Sequence, residues 1–600
     1  LTINADGNSS GNIILNGGIV DGPGTANHFV KGGYGTLFLK GTNTLTGTIT
    51  VAGGLLGVNS DADFGTASQV VLGGGGLGVF ENSFTSSRNL TFTTGSNGWF
   101  DVSPGMTFTQ AATSTYDGGN FIMKRGLGTV VLNGTNAHSG VLLADGILQV
   151  NSQDALGNAA AAGTGDIQFG GDFTPAGGTN SRHLGGTLRI NFTGATNRGL
   201  TFNNNGSTNY AGSIDVTAGN TFTAAGVISQ GSEFDFAFKT GPGTLVVNSN
   251  NQSKSFTTTN ANANVTTGNT EGLAAGMSVT GTGIPAGATI AAITSGTTFT
   301  LSANATASGS NTLTFVNNNN SLRQFAMTNG VIQFSGNAPW ANSTTTAANN
   351  TNIEMLGGTI RAVNTGANIA LTNQASTTNY NYGGGLVLAM GSGTGFSVEL
   401  NADNLLRQNQ GTLVLQTEGS TVLGGAGATN AARVITTNAV NTGIARASAL
   451  NNGIFPAHLL GADSTGVAFF LQNNATTGFE AYSGTTTSTL SGLNANGIGN
   501  ITADPALSGS NNSIYAFRTT SDVSGGTLKI TAIDNLRLGG ILINGSNTIS
   551  TNLVFDPTSA TAPGTGTPSE GLVYVKTGET ATISGNVTAN AFTKFGDGTL

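Results

Sequence analysis

The chain has no cysteine in 600 residues, and only 8% of its residues are charged, about a third of the share in an ordinary soluble domain. The first absence excludes disulfide staples and thiolate metal sites, and it removes any risk of a covalent lock forming before export across a membrane. The second means that solubility rests on Asn, Thr, Ser and Gly. Positive charge is scarcer still: 20 Lys and Arg against 28 Asp and Glu give a net charge of −8. With no basic stripe to neutralise phosphates, nucleic acid and anionic membrane surfaces are excluded as partners. No apolar run reaches the roughly 18 residues of a membrane helix. Residues 1–30 carry neither a basic start nor a long apolar centre, so the chain is read as beginning inside a longer protein. Helical spacing is confined to single turns such as Asp61–Gly65 and Asp154–Gly157.

Glycine is abundant, at 94 residues, and hydrophobic residues make up 37% of the chain. Many of them fall at alternate positions, as in Thr48-Ile49-Thr50-Val51 and Glu233-Phe234-Asp235-Phe236-Ala237-Phe238. One face of such a strand looks inward and the other is solvated. Five stretches repeat one phrase: KGGYGTLFL from Lys31, KRGLGTVVL from Lys124, KTGPGTLVV from Lys239, RQNQGTLVL from Arg407 and KFGDGTL from Lys594. A strand-turn-strand unit reused at this scale predicts an all-β solenoid that grows by adding coils.

The marker threonines Thr36, Thr129, Thr244, Thr412 and Thr599 are separated by 93, 115, 168 and 187 residues. The third gap contains a stretch with GLAAGMSVTGTGIPAGATIAAITSGTTFTLS, which opens an Asn-rich turn and is read as a small inserted β module over 256–315. Closing a loop around such an insertion costs little more than closing a short one. In the fourth gap the Gly-Thr turns lapse over 417–523, and register is recovered at GGTLKI from Gly525, which echoes GGTLRI at Gly185. The expected organisation is coils over 1–255, the module over 256–315, coils over 316–416, a divergent β-rich excursion over 417–523, and coils again over 524–600. About 440 residues of regular body, at 20 to 25 residues per coil and about 4.8 Å per coil, predict a rod on the order of 95 Å. Neither Leu1-Thr2-Ile3 nor Thr599-Leu600 offers a polar cap, so continuation past both ends is expected.

The run from Gly35 to Val58, GTLFLKGTNTLTGTITVAGGLLGV, closely resembles the autotransporter-associated β-strand repeat of bacterial surface proteins. The resemblance in looser form covers most of the chain outside the insert. It implies a right-handed parallel β-helix, the passenger region of a very large type V secreted protein, displayed at the cell surface and exported through an outer-membrane barrel lying outside this chain. The insert resembles a small β module found in bacterial surface and phage-tail proteins.

Motifs for chemistry are weak. Gly7-Asn8-Ser9-Ser10-Gly11 has the nucleophile-elbow spacing, but a strand follows it where a helix is needed. Gly73, Gly75 and Gly78 match a dinucleotide fingerprint that leads into VFENSF and so offers no helix N-terminus; a tight corner is the better reading. Glu233 and Asp235 share a strand face about 7 Å apart, as polysaccharide-cleaving carboxylates can, yet the Asn-Thr-Asp, Asp-Asp and Arg-Ile-Lys motifs expected of pectin-cleaving β-helices are absent. His28, His138, His183 and His458 have no ligand spacing, so no metal and no cofactor are predicted. Trp99 and Trp340 are candidate glycan contacts, with packing at a coil corner the commoner fate for Trp99. The sequons at Asn89 and Asn191 are expected by chance at this composition.

The sequence therefore predicts a non-enzymatic, structural and adhesive passenger segment on the bacterial surface. Its partner would be a glycan or protein of a host, prey or neighbouring cell, recognised through the insert or the excursion. Self-assembly of the nearly uncharged faces into a filament or sheath is the second reading, and a polysaccharide-cleaving β-helix the third.

Overall fold

The computed structural model describes the chain except for residues 6–10, 23–26, 68, 94–97, 119–120, 139, 158–166, 174–180, 184, 197, 203–210, 227, 231–235, 248–251, 269, 271–272, 274–276, 296, 317–323, 335–350, 365–368, 372–377, 393–396, 426–429, 441–443, 446–449, 451–452, 491–494, 511, 535 and 557–567. It divides into two units, the first essentially Leu1–Ala326 with Gly330–Ile332, the second essentially Thr344–Leu600.

The first unit is a parallel β-helix with three faces. One face begins with Thr2–Asn4, Phe29–Gly32, Ile49–Val51, Gln69–Leu72 and Asn89–Phe92. The second runs through Thr36–Leu39, Leu55–Gly57, Gly76–Val79, Gly98–Val102, Phe121–Arg125 and Gly140–Leu143. The third takes Thr107–Gln110, Thr129–Leu132, Ile147–Val150, Thr187–Ile190 and Ala211–Val216. Past Tyr116 the first face continues as irregular backbone, with the Ala137 amide donating to the Tyr116 carbonyl, and strands return in Gly194–Thr196 and Thr221–Ala224. Every strand pair along these faces is parallel and in register, so alternation stacks like on like. On the second face Leu37, Leu56, Leu77 and Phe100 lie rung above rung, each fully buried. Further along, Phe169 and Phe202 stack with centroids 4.5 Å apart and planes 4° from parallel. Complete burial of such side chains supplies about 1.5–3 kcal/mol each.

Outside, polar ladders tie the coils together. The Asn151 amide donates to the Asn133 side-chain oxygen at 2.6 Å, Asn191 donates to Asn151 at 3.1 Å, and Thr217 donates to Asn191 at 2.9 Å. One residue per coil thus continues a side-chain ladder parallel to the backbone one.

In the first three copies the repeat phrase does not return to the same corner. The first copy spans the corner between the first and second faces (Phe29–Gly32 to Thr36–Leu39), the second copy that between the second and third (Phe121–Arg125 to Thr129–Leu132), and the third copy that between the third and first (Phe236–Thr240 to Thr244–Val247). Across these three copies the phrase therefore advances each time by whole coils plus one third of a turn, a rotation that residue counts alone hide.

Residues from Gln252–Thr258 to Gly309–Val316 leave the parallel ladder. These two strands pair antiparallel, with Ser278–Thr280 beside the second, and a further antiparallel sheet joins Asn264–Val265, Thr298–Leu301 and Ile290–Ser295. Phe256, Phe299 and Phe315 meet edge to face in a core of their own. The chain then rejoins the β-helix, the Val331 amide donating to the Gly243 carbonyl.

The second unit carries a parallel stack on two faces. One holds Thr351–Met355, Thr378–Tyr382, Ser397–Arg407 and Ala431–Val440; the other holds Gly358–Asn364, Gly385–Ser392, Thr412–Thr417 and Leu459–Ala462. The ladder ends when Ala468–Asn474 pairs antiparallel on Leu459–Ala462 and Gly478–Ala481 pairs antiparallel on Ala468–Asn474. A new parallel stack then builds from Ile498–Ile501 through Ala516–Thr519, Gly540–Ile543 and Glu570–Val575 to Ala591–Phe595. Parallel pairing thus begins ahead of the GGTLKI signature, because IGNI and AFRT make strands without the Gly-Thr turn. This stack has its own interior, including Ile514, Phe517, Leu528, Ile541 and Val573. A second cluster, with Val414, Leu460, Phe470, Tyr515, Leu572 and Tyr574, packs it against the preceding stack.

Candidate functional site

Among the described residues, the leading basic side chains of the first four repeat copies are engaged inside the fold. Alternation puts Lys31 on the inward side with Phe29, and Lys124 continues the buried row below Phe100. The Lys31 ammonium donates to the carbonyls of Gly32, Gly33 and Gly53 at 2.8–2.9 Å, so it holds its own turn and the corner of the next coil. Lys124 repeats the arrangement with Arg125 and Gly126, both at 2.6 Å, and Lys239 with Thr240 and Gly241 at 2.7 and 2.8 Å. Burial pushes the Lys124 and Lys239 amines down to about 8, with nearby Asp101 and Asp145, or Asp215, opposing it. Arg407 takes the same place in the fourth copy, donating to the Gly411 carbonyl and pairing at 2.9 Å with buried Glu570. Lys594 bonds the Gly596 carbonyl. Buried bonding of this kind is what the repeated basic residue does in the first four copies, while Lys594 is exposed. The signal was available, since counting by twos from Phe29, Ile122 or Ala237 lands each lysine in the core.

The histidines stay separate. His28 accepts from the Thr48 amide on the surface, and the side chain of His183 lies outside the described residues. His138 is buried with Nδ1 3.0 Å from the Gly140 carbonyl, while desolvation and the neighbouring Arg198 guanidinium hold its pKa down to about 3. His458 is buried beside the Tyr382 hydroxyl, 3.2 Å from Nδ1, and burial drives its pKa well below the usual imidazole range. Among the described residues no group of three His, Asp or Glu is placed to hold a metal.

The glycines of the dinucleotide-like spacing are packing positions. A Cβ at Gly75 would strike Val51 and the Gly53 amide, and one at Gly78 would meet the Phe80 ring at 2.2 Å. Neighbouring Gly76 is the bed of Trp99, whose indole a Cβ there would approach to 2.5 Å. Trp99 sits on the outer row of its strand yet is 3% exposed, packed with Met123 and flanked by Leu55 and Leu142. An indole so covered offers no face to a sugar, and this corrects the expectation of a glycan contact there. Trp340, Glu233, Asp235 and Ser9 lie outside the described residues.

What remains at this level is the architecture: an all-β chain of parallel β-helix stacks interrupted by an antiparallel module. Over 142 residues it is 34% identical to the Adhesin BmaC autotransporter of Brucella suis biovar 1 (strain 1330), a match that covers 22% of this chain and 4% of the adhesin. The chain thus corresponds to a small fraction of that relative's length. No family model and no solved structure matches it. The likeness supports an autotransporter passenger-type protein, as the repeat phrase implies.

Proposed function

We propose that this chain is an adhesive passenger segment of a bacterial surface protein, held outside the cell and binding a neighbouring surface without chemical turnover. The observation that carries the reading is the 34% identity to an autotransporter adhesin. Two features of the fold support it. The outward polar side chains run in asparagine and threonine ladders, which suit a stiff, nearly uncharged display body. The module from Gln252 to Val316 has a core of its own, so it can vary or bind without disturbing the coils. Delivery through an outer-membrane barrel encoded elsewhere in the same protein belongs to the proposal.

Beads coated with the purified chain and mixed with cultured epithelial or bacterial cells test it directly. Saturable attachment, competed by soluble chain and reduced when residues 252–316 are replaced by a short Gly-Ser turn, is the expected result. Beads that attach no better than albumin-coated ones exclude the adhesive role. Protease sensitivity of the native protein on intact cells checks the surface location.

A further inference from the structure

In the second unit one concave place stands apart from the ladders. The outward side of strands Gly385–Ser392 and Thr412–Thr417 faces the end of strands Glu570–Val575 and Ala591–Phe595 across a cleft of about 290 Å³, at the lower end of small-molecule pockets. Val387, Val414, Tyr574 and Phe595 form its floor, and Gln410, Gln416, Thr577 and Asp597 stand around it. None of those four rim side chains is hydrogen-bonded to a described residue. Elsewhere in this unit Gln472 pairs with Glu480 and Arg361 with Glu418.

The walls are fixed before any ligand arrives. The Tyr574 hydroxyl donates to the Gly466 carbonyl at 2.9 Å, and the Tyr574 and Phe595 rings meet at 72° with centroids 5.6 Å apart. Behind them Glu570 takes both the Arg407 guanidinium and the Thr593 hydroxyl. The floor is largely covered, with Tyr574 3% and Phe595 7% exposed, so recognition falls to the rim, whose unengaged amide, hydroxyl and carboxylate groups match a small molecule with a hydroxyl edge. Lys594 lines the cleft as well, its ammonium bonded to the Gly596 carbonyl, and beside Asp597 it leaves the rim with no net charge, which suits a neutral ligand. A larger hollow of about 600 Å³ beside Ile583, Val587 and Phe592 has Thr582 as the one polar side chain of its lining.

We propose that this cleft binds a neutral saccharide of one or two rings; the inference rests on the adhesive reading and supplies its ligand class. Saturation-transfer NMR and calorimetry on the whole chain, with cellobiose, maltose and N-acetyllactosamine as probes at millimolar concentration, test it. Saturable binding of at least one probe is expected, weakened about tenfold (about 1.4 kcal/mol) by Gln416→Ala and by Asp597→Ala and unchanged by Gln149→Ala in the first unit. Failure of all three probes to bind, equal binding by the rim variants, or stronger binding of N-acetylneuraminic acid or of an unstructured peptide overturns it. Cell attachment separates the two readings. A rim variant that loses the sugar but keeps adhesion removes the cleft alone, whereas sugar binding without adhesion supports the cleft and removes the adhesive role.

Discussion

A lysine in an aliphatic row is stable only while carbonyls surround its ammonium, and the first unit sets this condition three times. Replacing Lys124 by Met keeps the stem and removes the donor, leaving the Arg125 and Gly126 carbonyls bare inside a corner. A loss of about 2 kcal/mol is expected, within the range for stranding buried acceptors, and urea unfolding followed by Trp99 fluorescence in a Trp340→Phe background measures it. The same amines set a pH dependence. Folding lowers the Lys124 and Lys239 pKa values from 10.5 to about 8, so between those values the unfolded chain binds more protons and stability rises with pH. Above pH 10 buried Tyr116 opposes this, because its raised pKa keeps the folded state protonated after the unfolded one has ionised. The urea midpoint of the first unit should therefore climb from pH 8, turn over near pH 10, and climb less in Lys124→Met. On the acid side His138 acts with the same sign. Its folded pKa of about 3 lies below the usual 6.5, so the unfolded state takes the proton first and stability falls as pH drops through 6.5. Between pH 6.5 and 5 the loss is about 2 kcal/mol, and His138→Gln should remove it; an unchanged pH slope in that variant would refute the assignment.

At the level of strands and turns, small residues decide what their neighbours can do. Gly76 lies directly across from Trp99 in the parallel register, and the indole occupies the space a side chain would take. Gly76→Val should lift the indole off the sheet and shift Trp99 emission to the red in the Trp340→Phe background, at a cost of about 1–3 kcal/mol for overpacking. Emission unchanged from the parent would show that the ring does not rest there. This pair also shows how much of the fold was legible. Alternation identified the inward rows and the Gly-x-Gly-Thr phrase identified the corners, since both are local signals. The bed at Gly76 was not legible, because it joins residues one coil apart and a glycine run reads the same whether it turns a corner or clears room for a ring. The rotation of the repeat by one face was hidden for the same reason, since it depends on how many residues each coil takes. The cleft lay further out of reach: Gln410 and Asp597 meet only after the chain has reversed at Ala468–Asn474, and no spacing encodes that reversal.

At the level of the second unit, stability depends on how its two parallel stacks are joined. The later stack has an aliphatic interior of its own, while the surface joining it to the earlier one mixes apolar contact with the buried Arg407–Glu570 pair, 3% and 9% exposed. A buried pair of this kind need not add net stability, yet removing one partner leaves a charge in the core, at a cost of about 3–5 kcal/mol. Arg407→Met should therefore loosen the join without unfolding the later stack. Hydrogen exchange read by mass spectrometry should quicken in peptides covering Thr412–Thr417 and Ala591–Phe595, and stay slow across Asn552–Asp556, whose Leu553 and Phe555 lie in the later stack's own interior. The double variant Arg407→Met/Glu570→Leu should recover most of the protection, because the apolar pair fills the same space with no charge to compensate. If the double variant exchanges as fast as the single one, the guanidinium contributes more than compensation, through the bond to the Gly411 carbonyl that orders its own turn.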